Sequence, residues 1–272
     1  MKVSIVTPSY NSLHFLKDCH ESIINQKEIN FEHIVVDALS TDGTKEWCEN
    51  KNITIISEKD DGMWDAVNKG ISIASGDIIL QLNCDEQLLQ DSLKKAINFL
   101  SENKNIDFII SHMLVVDEQG NFNCFRKTFP LNKELIISQY LYAPTCATFY
   151  KKYIFDDFSF DSNFKDCADA KFVVNILDYG FKYKILNNYT SLFTLRKDNK
   201  QASANALKEV KDLRKKYQLD SNWYRRLKRY LLMLKSNAFF TTFPIKYRHY
   251  LDGTVSEKSV FFPSPFLKKI VD

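Results

Sequence analysis

Glycine is scarce in this 272-residue chain, with seven in all, and proline is scarcer at six. That composition excludes collagen-like repeats and Pro/Gly-rich disordered polymers. No CxxC pair occurs among the six cysteines, Cys19, Cys48, Cys84, Cys124, Cys146 and Cys167, and no histidine stands at zinc-ligand spacing from them. A zinc knuckle and a dithiol redox motif are thereby excluded, and free thiols in a reducing cytoplasm are expected. No stretch approaches the roughly 18 apolar residues that a spanning helix needs, and residues 1–9, MKVSIVTPS, lack the apolar core of a secretion signal. The expected location is cytoplasmic, with peripheral attachment at the inner face of a membrane left open.

Net charge is also small, at +3, but it is the sum of two poles. Residues 1–120 hold 10 Lys and Arg against 20 Asp and Glu, and residues 121–272 hold 27 against 14. An acidic half and a basic half that meets something anionic is the implied division of labour.

The first hundred residues alternate short β-branched apolar runs with helical patterns, the mark of βαβ units and a parallel sheet covered on both faces. Strands are expected at Val3 to Thr7, Ile34 to Asp37, Ile53 to Ser57, Ile78 to Leu82 and Asp107 to Ile110. Helices fall between them: one capped by Asn11 or Ser12 with Leu13, Leu16, His20, Ile23 and Ile24 on one face, then Trp64 to Ala74, then about Asp91 to Leu100. Further on, Met113 to Val116 and Phe122 to Lys127 read as a hairpin turning at Gly120. Cys146 to Tyr150, Lys184 to Leu186 and Ser191 to Leu195 read as strands, and Ala168 to Tyr179 as a helix stopped by Gly180. From Gln201 the chain is expected to be helical and basic.

Four of the seven glycines, Gly43, Gly62, Gly70 and Gly76, crowd into residues 43–76. Glycine is placed where backbone must turn left-handed or approach something closely, and open α/β sheets bind ligands beyond the carboxyl ends of their strands. The loops there carry Tyr10, Asp37, Asp42, Asp60, Asp61 and Asp85. Asp37 can accept from a base or ribose, or cap the turn in DALSTDGT. Asn83-Cys84-Asp85-Glu86 closes a strand, and carboxylates facing other acidic loops suit a hard cation shared with phosphate oxygens.

The blocks VSIVTPSYN, IVVDALSTDGT, SEKDDGMWDAVNKGISIASGD and LNCDE, in that order, are similar to those of family two glycosyltransferases. The third block resembles the subgroup related to colanic-acid and other bacterial polysaccharide enzymes. The match is close over residues 1 to about 90 and looser to about 195. The resemblance implies an α/β fold of the GT-A, Rossmann-like kind: a nucleotide-sugar-binding mixed sheet flanked by helices, with a C-terminal helical basic extension. Its implied organisation is a catalytic domain at 1–200, divided into a donor-nucleotide half at 1–110 and an acceptor half at 111–200, followed by an extension at 201–272.

The resemblance also implies roles. Thr7 and Tyr10 fall at the nucleoside, Asp37 at the uracil or ribose, Asp60 and Asp65 beside the donor, Lys69 near the diphosphate, Asn83 among the donor-binding residues, and Asp85 on a divalent cation, Mn²⁺ or Mg²⁺. Asn83 stands where the family's first metal-site acid is expected, and Ala38 and Leu39 replace residues that are commonly Asp or Gly. An inverting transfer needs a carboxylate to take the acceptor's proton, and Asp169 fits that pattern best, with Asp166 as runner-up. The bland reading gives both to the helix start, as a cap and a dipole partner. The implied activity is transfer of a sugar from a nucleotide donor, UDP-sugar favoured, to a saccharide acceptor, lipid-linked in surface polysaccharide or lipopolysaccharide assembly.

Four residues draw the eye for other reasons. His20 reads as a core histidine, His112 as a residue that could line the site, Cys84 as a thiol too acid-flanked to be a nucleophile, and Trp64 as packing near the donor or in the core. Residues 221–250 carry seven Lys and Arg, no acid and eight Phe, Tyr and Trp. Within them Tyr224, Leu227, Leu231 and Leu234 form a stripe with Arg225, Lys228, Arg229 and Lys235 around it, a pattern that suits a membrane surface or a helix packed on its own domain with a wet basic face. Nucleic-acid binding is the competing class, disfavoured because no such motif is present and the acidic half would repel phosphate. Another nucleotide-sugar or nucleotidyltransferase enzyme on a related sheet is the third.

Overall fold

The computed structural model describes residues 1–137, 144–196, 204–217, 219 and 223–266. Elements run in the order β1 (Val3–Ser9), α1 (Leu13–Ile24), β2 (Phe31–Asp37), α2 (Thr44–Asn50), β3 (Thr54–Ser57), α3 (Met63–Ile73), β4 (Ile78–Gln81), β5 (Glu86–Leu88) and α4 (Ser92–Glu102). Then come β6 (Phe108–Asp117), β7 (Phe122–Arg126), α5 (Lys133–Ile137), β8 (Thr148–Lys151), α6 (Ile154–Asp157), α7 (Ala168–Tyr179) and β9 (Tyr183–Leu195). The C-terminal region contributes α8 (Ala204–Lys216), α9 (Trp223–Lys235), β10 (Ile245–Leu251) and β11 (Thr254–Val260).

Nine strands form one mixed sheet in the order β3-β2-β1-β4-β8-β6-β9-β5, with β7 on β6. β3, β2, β1 and β4 are parallel, whereas β8 runs against both β4 and β6. The chain moves from β1 outward to β2 and β3 and then returns to place β4 on the other side of β1. That reversal opens a crevice at the carboxyl end of β1.

Side-chain alternation along β1 divides the core. Val6 joins Val36, Trp64, Val67, Phe172 and Ile176 under α3 and α7, while Val3 and Ile5 join Cys19, Ile23, Leu93 and Leu100 under α1 and α4. The sheet is thus buried on both faces, as its unbroken β-branched runs require. All six cysteines are free.

The structure departs from the sequence reading in several places. Residues 108–117 form one strand because register shifts beside His112 absorb the irregularity that splits the apolar pattern. The pair expected at 184–186 and 191–195 is likewise one strand, in which the ladder to β6 shifts register across Leu186–Asn188 and resumes at Tyr189. Ser12 sits at the N-terminus of α1 but makes no capping bond with its side chain; Asp42 Oδ2 accepts from Leu13 N–H at 2.8 Å instead. The C-terminal region is helical in α8 and α9 but adds the hairpin β10–β11, which the sequence reading did not foresee.

That hairpin is fastened to the domain. Tyr250 and Gln87 exchange hydrogen bonds at 2.9 and 2.8 Å, and Tyr247 Oη donates to Gly120 O at 2.9 Å. Helix α9 presents its basic edge to the domain. Arg225 is buried, and Tyr224 Oη and Lys228 Nζ each reach Glu134 Oε2 at 2.9 Å, while Leu227, Leu231 and Leu234 stand about half exposed. The arrangement with apolar stripe inward and bases in water is not the one found.

Candidate active site

The crevice at the end of β1 is a cavity of about 620 Å³. Pro8, Ser9, Tyr10 and Ser12 reach it from β1, Ala38 from β2, and Lys59, Asp60, Gly62, Met63 and Ala66 from the β3–α3 connection and α3. Asn83, Cys84 and Asp85 enter after β4, and Arg196 after β9. Five strand ends therefore converge on one hollow.

Local chemistry shapes its walls. Gly62, with φ of +118°, turns the chain into α3, and its N–H donates to Asp60 Oδ1 at 2.8 Å. Asp37 is fully buried, and its Oδ2 accepts from Ser40 N–H at 3.1 Å and Ser57 Oγ at 2.8 Å. Its Oδ1 is buried with no hydrogen-bond partner among the described residues, and Asp37 is not among the residues that line the cavity. Tyr10 is 64% exposed at the rim and free to lay its ring on a flat ligand.

Three residues assigned to the donor by resemblance sit elsewhere. Thr7 is buried on the α1 side, where its Oγ1 meets His33 Nε2 at 3.0 Å, and it is not among the residues that line the cavity. Lys69 directs its ammonium to Glu58 at 2.8 Å, Asp65 at 3.2 Å and Lys59 O at 2.8 Å, which uses all three donors. Asp65 also accepts from Asp61 N–H at 3.1 Å. Asp65 and Lys69 brace the loop that presents Asp60; neither lines the cavity.

Asn83 Oδ1 accepts from Gln81 Nε2 at 3.2 Å, and Asn83 N–H donates to Glu86 Oε2 at 2.8 Å. Glu86 is buried, and burial pushes its carboxyl up to about 8. Cys84 Sγ donates to Pro8 O at 3.1 Å, and burial pushes its thiol up to about 12, which agrees with an inert role. No cluster of three or more His, Cys, Asp or Glu able to hold a metal exists among the described residues. Asp85 beside the Asn83 amide is a hard-oxygen set of the size that Mg²⁺-like cations use when phosphate oxygens complete the sphere.

The segment bearing the candidate bases is stapled to the donor loop. Asn68 and Phe160 exchange bonds at 2.7 and 3.0 Å, the Trp64 ring stacks on Phe160 at 4.8 Å, and Trp64 Nε1 donates to Lys165 O at 3.3 Å. Lys165 Nζ donates to Asp61 O. Trp64 is thus a core residue whose indole nitrogen ties the two halves together. Asp169, in the first turn of α7, is half-buried, and desolvation pushes its carboxyl up to about 6. Asp166 is exposed and accepts from Asn205 Nδ2 at 2.7 Å.

Two residues were missed in the sequence. Glu209, from α8, accepts from the N–H groups of Lys165, Asp166 and Cys167 at 2.7, 3.0 and 2.9 Å, and so anchors from outside the turn that leads into α7. No motif marks it, because the partners lie more than forty positions apart. Arg196 reaches the cavity beside Asp85, and its strand-end position was the only clue. His112, by contrast, is structural: Thr128 N–H donates to its Nδ1 at 3.1 Å, which leaves Nε2–H to donate to Asn187 Oδ1 at 2.9 Å. His20 is the core histidine expected, facing His33 at 3.0 Å.

Residues 4–158 match the family model described as glycosyl transferase family 2. The chain belongs to that family. Among relatives of this family-2 chain, the minor teichoic acid biosynthesis protein GgaB of Bacillus subtilis is 27% identical over 216 residues, covering 75% of this chain. The chain spans 24% of that relative's own length. S. aureus TarS 1-349 in complex with UDP superposes with a TM-score of 0.62 at 22% identity, over 89% of this chain and 72% of that one. The mannosyltransferase PcManGT from Pyrobaculum calidifontis, in complex with GDP-Man and Mn²⁺, gives 0.56 at 14% identity, over 88% and 81%. The mixed sheet flanked by helices is therefore the GT-A architecture that the resemblance implied.

Proposed function

We propose that this chain is an inverting glycosyltransferase that moves a sugar from a nucleoside diphosphate, UDP favoured, onto a saccharide acceptor in surface-polymer assembly. The observation that carries this is the single cavity edge shared by Tyr10, Asp60, Asn83 and Asp85, with the unsatisfied Asp37 Oδ1 at the end of β2 and Asp169 on the segment stapled to its loop. The names of the relatives, which concern teichoic acid synthesis and UDP, support the polymer and donor classes.

In this reading Tyr10 covers the base and Asp37 accepts from the base or ribose. Asp60 orients the ribose and diphosphate side. A divalent cation, Mn²⁺ or Mg²⁺, held by Asp85 and Asn83, would supply charge neutralisation for the departing diphosphate. Asp169 takes the proton of the attacking hydroxyl as the new glycosidic bond forms at the anomeric carbon and the bond to the diphosphate breaks on the opposite face. A carboxyl near 6 is ionised at neutral pH yet basic enough to accept that proton. Residues 1–200 act as the catalytic unit, donor half 1–110 and acceptor half 111–200, with 201–272 as an extension.

The finer reading is a lipid-linked acceptor at the cytoplasmic leaflet. Of 22 large hydrophobic side chains exposed among the described residues, 13 lie in residues 223–266. They include the outward stripe of α9 and Phe240, Phe243, Phe261 and Phe262. That apolar surface within a region rich in Lys and Arg suits an anionic bilayer, and like charge opposes its pairing with a second copy. Co-sedimentation with anionic and neutral liposomes tests this: the intact chain is expected in the anionic pellet, and Leu231→Glu with Leu234→Glu in the supernatant. Equal recovery on both liposomes removes the membrane reading.

Calorimetric titration with UDP, GDP and short oligonucleotides, followed by product analysis with a panel of nucleotide sugars, tests the main reading. Saturable UDP binding and a glycosylated product are expected; oligonucleotide binding without UDP binding overturns it.

A further inference from the structure

Among the residues that line the cavity, Arg196 has no place in the reading above, yet it stands against the residue assigned the cation. Its Nη1 is 3.7 Å from Asp85 Oδ2, and both side chains are largely buried, at 26% and 19% exposure. Behind it the guanidinium lies over the Phe15 ring, 4.7 Å from the centroid, so α1 supports it on its apolar face. At 3.7 Å the pair is looser than the 2.7–2.9 Å of a tight charge-assisted bond, and a planar group resting on an aromatic face slides at little cost.

The charges explain why a base belongs there. Asp60 and Asp85 both line the cavity, so a guanidinium 3.7 Å from Asp85 lowers the repulsion within a partly buried acidic wall. A guanidinium fork also matches a phosphate bidentately. When a cation takes Asp85, the released fork has a diphosphate within the same cavity to turn to.

We infer that Arg196 is an exchangeable counter-ion, holding Asp85 before the donor arrives and passing to the donor's diphosphate once a divalent cation occupies the carboxylate. This rests on the donor-site reading above. A cation alone competes with Arg196 for Asp85, whereas a cation arriving with a diphosphate does not, because the displaced guanidinium gains a new anion. The two ligands therefore assist each other's binding, and by linkage the assistance is equal in both directions.

Free Mn²⁺ followed by electron paramagnetic resonance, and UDP followed by calorimetry, measure this on the full chain, each ligand alone and each at saturation of the other. The wild-type chain is expected to bind each ligand about tenfold more tightly in the presence of the other. Arg196→Ala is expected to bind Mn²⁺ alone about fivefold more tightly, to bind UDP more weakly, and to lose most of the coupling. Arg196→Lys, which keeps charge but not the fork, should retain competition for Mn²⁺ and lose part of the coupling. Mn²⁺ affinity unchanged or weakened in a folded Arg196→Ala, with coupling intact, overturns the exchange and leaves the donor site standing. A wild-type chain that binds neither ligand overturns both.

Discussion

Glu209 and Cys167 are joined across 42 positions by a 2.9 Å hydrogen bond from the Cys167 N–H to the Glu209 carboxylate, two residues before Asp169. With the bonds from Lys165 and Asp166, it makes one buried carboxylate the anchor of the turn that enters the helix carrying the candidate base. The α8 helix is thereby part of the site's support. Glu209→Gln keeps one acceptor oxygen and leaves buried N–H groups short of partners, costing about 2 kcal/mol of stability. It also removes a negative charge that contributes to the raised pKa of Asp169. The acid limb of the rate profile is expected to move to lower pH in this variant, which a profile of initial rates between pH 4.5 and 8 would read.

Asp169→Asn is expected to slow transfer by about 10² to 10⁴-fold while UDP affinity stays at its wild-type value. The working form is the carboxylate, so the wild-type rate should fall as pH drops through about 6. Asp166→Asn is the control, since Asp166 is exposed and already bonded to Asn205. Single-turnover rates settle the assignment: a full rate in Asp169→Asn with loss in Asp166→Asn would transfer the role.

The donor half was legible because its motif blocks are contiguous and each ends a strand, so sequence order alone brings Asp60, Asn83 and Asp85 to one crevice. Side-chain direction was less legible. Thr7 is buried against His33 just before Pro8, the first residue of the crevice, which its motif does not reveal, and nothing in the NKG tripeptide reveals that the Lys69 ammonium turns toward Glu58 and Asp65. The amphipathic pattern of α9 fixed a stripe but not which way it points; only the contact of Tyr224 and Lys228 with Glu134 does that. The hairpin carried a readable signal, for Ile245, Tyr247 and His249 alternate with Lys246 and Arg248. Glu209 had none, since its partners are set by tertiary packing, and Arg196 had only its place at a strand end.

Gly70 explains one letter of the motif. An ideal Cβ on it would lie 2.4 Å from Val6 Cγ1 and 3.0 Å from Val36 Cγ2, so α3 seats on β1 and β2 only because that position is bare. Alanine is favoured over glycine inside a helix by about 1 kcal/mol, but overpacking costs about 3 kcal/mol at a contact this close. Gly70→Ala is therefore expected to be less stable by about 2 kcal/mol, a fall of roughly 4–8 °C in melting temperature. An unchanged melting curve would mean that the helix lifts freely from the sheet.

The buried chain Thr7–His33–His20 makes stability depend on pH. Burial lowers His33 from 6.5 to about 3 and His20 to about 4, with each positive charge further opposed by a neighbour, His20 for the first and Lys51 for the second. A depressed folded pKa means that the unfolded chain binds more protons between the two values, so this contribution is complete above about 6.5 and is lost as pH falls toward 3. For His33 the loss between pH 7 and 5 is about 2 kcal/mol. Glu86 acts in the opposite sense: its carboxyl, raised from 4.5 to about 8, becomes less unfavourable as pH falls. The net curve of the wild-type chain therefore mixes both, and the comparison must be with His33→Gln. Urea midpoints at pH 7 and 5 should show the variant less stable at pH 7 but losing less on acidification than the wild type. Parallel losses in the two proteins would assign the acid sensitivity to groups other than the histidine pair.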